Sequence, residues 1–215
     1  MMTIDSCGFP GVVSSLSVDG ACAGWRASPR AGGVLWLTGL SGAGKTTLAD
    51  AVAAQLRDRS VHPVVLDGDR LRTGLNRDLG FTVQDRFENV RRIAEVAALT
   101  SESGALAIVA VISPLAAMRD AARAIVGPVF REVYVSTPLA CCAARDPKGL
   151  YAKARSGVLP AFTGVSAPYE PPVEADLTID TGRASLAMCV DTLMRFAVAQ
   201  FGGAADPQAA PLRHG

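Results

Sequence analysis

A three-layer α/β fold, with a central parallel sheet of about five strands and helices on both faces, is predicted by three observations. Short apolar runs alternate with amphipathic stretches through the middle of the chain. A glycine-rich turn joins the first run to the first amphipathic stretch, the junction typical of a strand feeding a helix. A length of 215 residues with 49% hydrophobic content provides one domain with an ample core.

Strands are expected at Val34–Thr38, Val64–Leu66, Leu106–Ile112, Glu132–Val135 and Leu177–Ile179. Between them, Leu48, Val52 and Leu56 fall on one face of a first helix, and Val90, Ile93, Ala94 and Ala97 stripe a second. Asp85, with Glu88 three residues on, is the expected start of that second helix, and Gly104 its stop. Leu186, Cys189, Val190, Leu193 and Ala197 give the last helix a buried side. Residues 1–31 are rich in Gly, Ser and Ala and end in the turn-forming run Ser28–Gly33, so they read as a loosely ordered arm. Residues 202–215 have the composition of a flexible tail. The working domain is therefore 32–201, and no internal repeat is evident.

Composition narrows the partners. Twenty-one Lys and Arg against 20 Asp and Glu leave a formal charge of +1, so no global field attracts nucleic acid or a membrane surface. The five cysteines form neither a C-x-x-C pair nor a zinc spacing, which fits a reducing cytoplasm. The N-terminus lacks a basic start followed by an apolar run, and no stretch of about 18 apolar residues could span a bilayer. A soluble, cytoplasmic protein is expected.

Gly39, Leu40, Ser41, Gly42, Ala43, Gly44, Lys45 and Thr46 match G-x-x-x-x-G-K-S/T at every defined position, after an apolar strand and before an amphipathic helix. Glycines let the backbone curl so that its N–H groups face a phosphate, and the helix beginning near Lys45 adds its positive dipole end. Lys45 would reach the β- and γ-phosphates of ATP, and the Thr46 hydroxyl would ligate Mg²⁺. A chance glycine turn needs neither the lysine nor the hydroxyl at these offsets. The fold is thereby specified as that of the P-loop nucleoside-triphosphate hydrolases. No guanine-reading N-K-x-D segment accompanies the loop.

The acceptor side is less explicit. Asp67 and Asp69 stand at the end of the second strand, the ligand edge of an open α/β sheet, where either could orient Mg²⁺ or take a proton; an Asp-Gly turn is the plain alternative. Arg70, Arg72, Arg77, Arg86, Arg91 and Arg92 crowd together in an otherwise neutral chain and suggest an anionic second substrate. Arg86 and Asn89 are three apart and share a helix face. Ser113 follows the third strand and could bind substrate, carry a phosphoryl group transiently, or merely start a turn. From Arg145 the chain turns basic and then loop-like, which suggests a lid over about 145–172 that excludes water. Phe162 in that loop reads either as a loop anchor or as a platform for a base.

Taken together, Leu37–Thr46, Leu66–Asp69 with Arg72, Leu79–Thr82, Asp85–Arg92, Ile112–Pro114, Asp146–Tyr151, Lys153–Arg155, Phe162–Gly164 and Pro168–Glu170 resemble the adenylylsulfate kinases. The resemblance covers most of residues 32–181. It implies transfer of the γ-phosphate of MgATP to the 3′-hydroxyl of adenylylsulfate in sulfate activation, giving 3′-phosphoadenylylsulfate and ADP. Position by position, it implies that Arg72, Arg86 and Asn89 hold the phosphosulfate end and that Phe81 and Phe162 sandwich the adenine. Ile112, Ser113, Thr163 and Gly164 complete the acceptor site.

On the same resemblance Asp69 is the leading proton acceptor and metal-side carboxylate, with Asp67 next, and Lys148 acts from the lid. Ser113 matches the serine considered as a phosphoserine. Thr47 and Arg145 join the phosphate loop in binding nucleotide, Thr46 and Asp69 in holding metal, and a homodimer is expected. The competing readings are a kinase of another nucleotide-like or small phosphorylated acceptor and a nucleotide-binding regulator. Arg70, Phe87 and Leu115–Ala117 differ from the residues usual in the family.

Overall fold

The computed structural model describes residues 32–59 and 61–202. The arm expected over 1–31 lies outside these residues, as does the tail expected over 202–215 apart from Gly202. Five strands, β1 (Gly33–Thr38), β2 (Pro63–Asp67), β3 (Leu106–Ala110), β4 (Phe130–Val135) and β5 (Leu177–Ile179), form one sheet in the order β2-β3-β1-β4-β5. Every pairing is parallel, with Val34 of β1 opposite Ala107 on one side and Phe130 on the other.

β1 is buried along its whole length because both its faces are covered. Its alternating side chains feed two cores. Leu35 and Leu37 pack with Leu48, Val52 and Leu56 of α1 (Lys45–Arg57) and with Leu193 and Met194 of α7 (Leu186–Phe201). Val34 and Trp36 pack on the opposite face with Val90, Ile93 and Ala97 of α3 (Val83–Glu102) and with Met118 and Ala122 of α4 (Ala116–Val126). The shorter helices α2 (Gly68–Arg72), α5 (Leu139–Arg145) and α6 (Leu150–Arg155) sit at the ligand edge or lead away from it. Among the described residues, no helix is long and apolar enough to cross a membrane.

Strands β1, β2 and β4 extend one or two residues past their expected ends, and three further features differ from the sequence expectation. α3 begins two residues before Asp85, because the N-cap is Thr82: its hydroxyl accepts from the Asp85 N–H at 3.1 Å, and the Asp85 carboxylate accepts from the Thr82 N–H at 3.3 Å. Asp85 is thus the closing residue of a capping box, three after the N-cap, and not its opening one. β3 stops at Ala110 instead of Ile112: its last ladder partners are Leu37 and Asp67, and the chain then turns at Ser113, whose φ is +37°. Leu186, expected on the buried side of α7, is half exposed. Gly104 does end α3, at a φ of +84° that relieves the carbonyls of the last turn.

Candidate active site

The phosphate loop follows β1 directly and ends in α1, whose N-cap is Gly44 at φ +98°. Its shape is fixed from outside by bonds to five successive carbonyls. Lys45 Nζ donates to Gly39 O (2.8 Å) and Leu40 O (2.7 Å), and Tyr151 OH to Ser41 O (2.9 Å). Arg145 Nη1 donates to Gly42 O (3.3 Å), while the hydroxyls of Thr137 and Thr181 both donate to Ala43 O (3.1 and 2.8 Å). The Ala43 N–H turns back to Leu40 O at 3.2 Å, and the other N–H groups of the loop are left for an anion. Gly39 admits no side chain, since a Cβ there would meet Val135 O at 2.5 Å. Thr47 is exposed on the first turn of α1.

Arg145 also grips Thr181 through its hydroxyl (2.8 Å) and carbonyl (2.7 Å), so this arginine braces the loop. Thr137 and Thr181 stand just past the ends of β4 and β5, and Tyr151 lies on α6. The sequence reading assigned none of the three a role. Hydroxyl residues directly beyond parallel strand ends are the signal that could have singled out the two threonines.

Lys45 is almost enclosed, and burial pushes its ammonium down to about 8 against the opposing pull of nearby Asp69 and Asp67. Beside it the two carboxylates divide. Asp67 Oδ1 accepts from the N–H groups of Asp69 (2.9 Å) and Arg70 (3.1 Å), capping α2. Its other oxygen accepts from the Thr46 hydroxyl at 2.6 Å. Asp69 stays exposed and meets Lys148 Nζ from the segment after α5. The carboxylate bonded to the expected metal-binding hydroxyl is therefore Asp67, while Asp69, expected with Thr46 on the metal side, is the one that meets Lys148. A hydroxyl and a carboxylate this close are hard oxygen donors that suit Mg²⁺.

The wall on which the family resemblance places the acceptor is built on Phe81, which is 60% exposed. The Arg72 guanidinium lies 4.4 Å from its ring centroid and that of Arg86 5.7 Å. Arg72 is anchored by Leu79 O and Gly80 O. Arg86 donates to Phe81 O (3.0 Å), Thr163 Oγ1 (3.3 Å) and Ala161 O (3.0 Å), joining the α3 side to the 161–163 loop. Burial lowers the pKa of both arginines, with Asp69 and Asp85 pulling Arg72 back. Asn89 is buried, and its Oδ1 accepts from Asn76 Nδ2 at 3.0 Å, so the amide nitrogen is what it can offer a ligand.

The other arginines of the cluster do not join this wall. Arg91 is paired with Glu88 and Glu95, Arg92 with Asp78 and Glu88, and Arg70 and Arg77 are exposed. Phe162 is only 7% exposed and packs edge-on against Tyr151, with ring centroids 5.0 Å apart. Of its two readings, the geometry favours the loop anchor. Gly164 at φ +86° lets the loop pass within reach of Leu40, and these two residues with Leu139 and Tyr169 help line an open cavity of about 580 Å³.

Ser113 is 1% exposed. Its hydroxyl accepts from Trp36 Nε1 (3.1 Å) and donates to Thr38 Oγ1 (3.0 Å), so it lies in the layer beneath the site. In this conformation the hydroxyl is enclosed and committed to these two partners. Ile112 presents its carbonyl to Thr38 at 2.7 Å.

A family model described as adenylylsulphate kinase matches residues 31–180. The adenylyl-sulfate kinase of Paraburkholderia xenovorans is 55% identical over 163 residues, 76% of this chain and 91% of that protein. That of Shewanella amazonensis is 52% identical over 168 residues, 78% of this chain and 85% of the relative. Among solved structures, the Mycobacterium tuberculosis APS kinase in complex with AMPPNP and APS superposes with a TM-score of 0.74 at 44% identity, covering 81% of this chain and 99% of that one.

Proposed function

Since the chain belongs to the adenylylsulphate kinase family, we propose that it transfers the γ-phosphate of MgATP to the 3′-hydroxyl of adenylylsulfate, giving 3′-phosphoadenylylsulfate and ADP. The observation that carries this reading is the exposed Phe81 ring with the guanidinium groups of Arg72 and Arg86 against it. An aromatic face joined to two cations suits an acceptor that couples a base to an anion.

The residues divide the work as follows. The phosphate loop holds the donor through its N–H groups, and Lys45 leaves its loop carbonyls to meet the β- and γ-phosphates. Mg²⁺, when bound at the Thr46 hydroxyl with Asp67 behind it, supplies neutralisation of the phosphate charge. Asp69 takes the proton of the 3′-hydroxyl as its oxygen forms the new bond to phosphorus and the bond to the ADP oxygen breaks. Lys148, which pairs with Asp69, brings a cation over the transferring group as the 145–172 segment closes. Arg72 and the Asn89 amide receive the phosphosulfate end. Arg86, with its nitrogens engaged by the 161–163 loop, holds that loop against the acceptor wall.

A coupled assay of ADP release with adenylylsulfate and AMP offered in parallel tests the assignment. Turnover confined to adenylylsulfate is expected, and none with that acceptor at micromolar levels would reject it. A homodimer in the cytoplasm completes the proposal. It is checked by light scattering of the purified full chain, where a mass of one copy would reject the dimer, and by cell fractionation. A relative from Thiobacillus denitrificans, 31% identical, is described as hexameric, so assembly of some order has a precedent in the family.

A further inference from the structure

Pro168–Glu170, one of the segments carrying the family resemblance, has no part in the reaction as described above. Its bonds nonetheless converge on the acceptor side. The Tyr169 hydroxyl lies 3.0 Å from Thr38 Oγ1, and its ring stacks on Tyr134 with centroids 6.1 Å apart. Thr38 spends its single hydrogen on Ile112 O (2.7 Å) and accepts from Ser113 Oγ, so Tyr169 is the donor of the remaining bond. Thr38 is also the last residue before the phosphate loop.

Glu170 continues the same grip. Its N–H donates to Pro114 O at 2.8 Å, and its Oε2 accepts from the Ala116 N–H at 2.7 Å. Leu115 supplies no side-chain cap to α4, so this carboxylate, 54 residues away in sequence, satisfies one of the orphan donors of that helix and faces its positive end. The turn being held is a strained one. Ser113 has φ +37°, a region that non-glycine residues avoid, and its carbonyl is pinned by Arg119 Nη1 at 3.0 Å. A turn of this kind keeps its shape only while its surroundings over-determine it.

We infer that Tyr169 and Glu170 are positioning residues for the acceptor: by clamping the Ile112–Ala116 turn from outside, they set the affinity for the second substrate without touching it. The inference rests on the proposed acceptor site, to which the family resemblance assigns Ile112 and Ser113, with the Ser113 side chain in the layer directly beneath it. It also links the far end of the lid to the acceptor pocket, so that a change at 168–170 is felt across the sheet edge at 112–116.

The test uses the full chain with MgATP and adenylylsulfate. Tyr169→Phe, which keeps the ring on Tyr134, and Glu170→Ala should each raise the adenylylsulfate KM about tenfold, with the MgATP KM changed by less than about twofold. Glu170→Gln keeps an acceptor oxygen for the Ala116 N–H and should restore most of the loss. Amide exchange over 112–118 without substrates should quicken in Glu170→Ala and return in Glu170→Gln. Wild-type turnover with an unaltered adenylylsulfate KM in both variants, or with both KM values rising together, overturns the inference alone. Wild-type protein idle on adenylylsulfate would overturn the acceptor reading and this inference with it. Should Glu170→Ala fail to fold, Tyr169→Phe decides the matter by the same KM comparison.

Discussion

Thr46 Oγ1 donates to Asp67 Oδ2 at 2.6 Å, joining the first turn of α1 to the end of β2 across 21 residues of sequence. This contact separates two neighbouring carboxylates that strand-end position alone leaves equivalent, because Asp69 is turned toward Lys148 instead.

Replacing the two aspartates should therefore produce different defects. Asp67→Asn is expected to raise the Mg²⁺ concentration needed for half-maximal rate by about 10- to 100-fold, the scale for a group that orients a metal's surroundings. Asp69→Asn is expected to lower kcat by about 100-fold or more at unchanged Mg²⁺ demand, as for loss of a proton acceptor. Steady-state kinetics across a Mg²⁺ titration distinguishes them, and identical profiles for the two variants would refute the division.

Lys45 carries a pH prediction. Its pKa is held at about 8 by burial, whereas bound phosphates favour the charged ammonium and raise it. Free protein near pH 8 is then partly neutral at this position, so nucleotide binding takes up a proton there, and affinity falls as pH rises through that value. Calorimetry in two buffers of different ionisation enthalpy should detect the uptake near pH 8 and much less of it at pH 6.5. Lys45→Met should abolish the difference.

The two phenylalanines should behave unlike each other. Phe162 is enclosed in the core formed with α1, so Phe162→Ala is expected to cost about 3–5 kcal/mol of stability. Phe81→Ala should change stability by only about 0.5 kcal/mol yet raise the adenylylsulfate KM about tenfold, within the range for loss of a base-stacking surface. Urea denaturation beside acceptor kinetics checks both. A stable Phe162→Ala with weakened acceptor binding would revive the two-sided sandwich.

Within the arginine cluster, charge partners decide function. Arg72→Ala should weaken the acceptor, while Arg91→Ala, which loses only exposed pairs with Glu88 and Glu95, should leave kinetics unchanged to within about twofold. A comparable loss in both variants would mean that the cluster acts as a diffuse field.

Beneath the site, Arg119 Nε lies 2.6 Å from Glu132 Oε1 in a nearly enclosed ion pair. Burial pushes the Glu132 carboxyl up while Arg119 and Arg123 pull it back. Arg119→Met should therefore destabilise the protein by about 3 kcal/mol, because the carboxylate keeps only the more exposed Arg123 at 3.5 Å as its cation. A midpoint in urea equal to that of the wild type would contradict this account.

Local pattern was enough to specify the phosphate loop, the alternation of strands and helices, and most of the core, because each depends on residues close together in the chain. Gly39–Thr46 needs only its own spacing, and Leu48, Val52 and Leu56 need only the helical repeat. The expected α3 start at Asp85 was displaced by a cap at Thr82, a competition that local signals alone left unresolved. Tertiary structure decided what no spacing carries. It determined which aspartate faces Thr46, which arginines remain beside Phe81 after Glu88, Glu95 and Asp78 have taken theirs, and that Phe162 and Ser113 are enclosed. Those outcomes depend on partners from distant strand ends and helices, so the sequence supplied the donor half of the site by itself and only the packed sheet edge shaped the acceptor half.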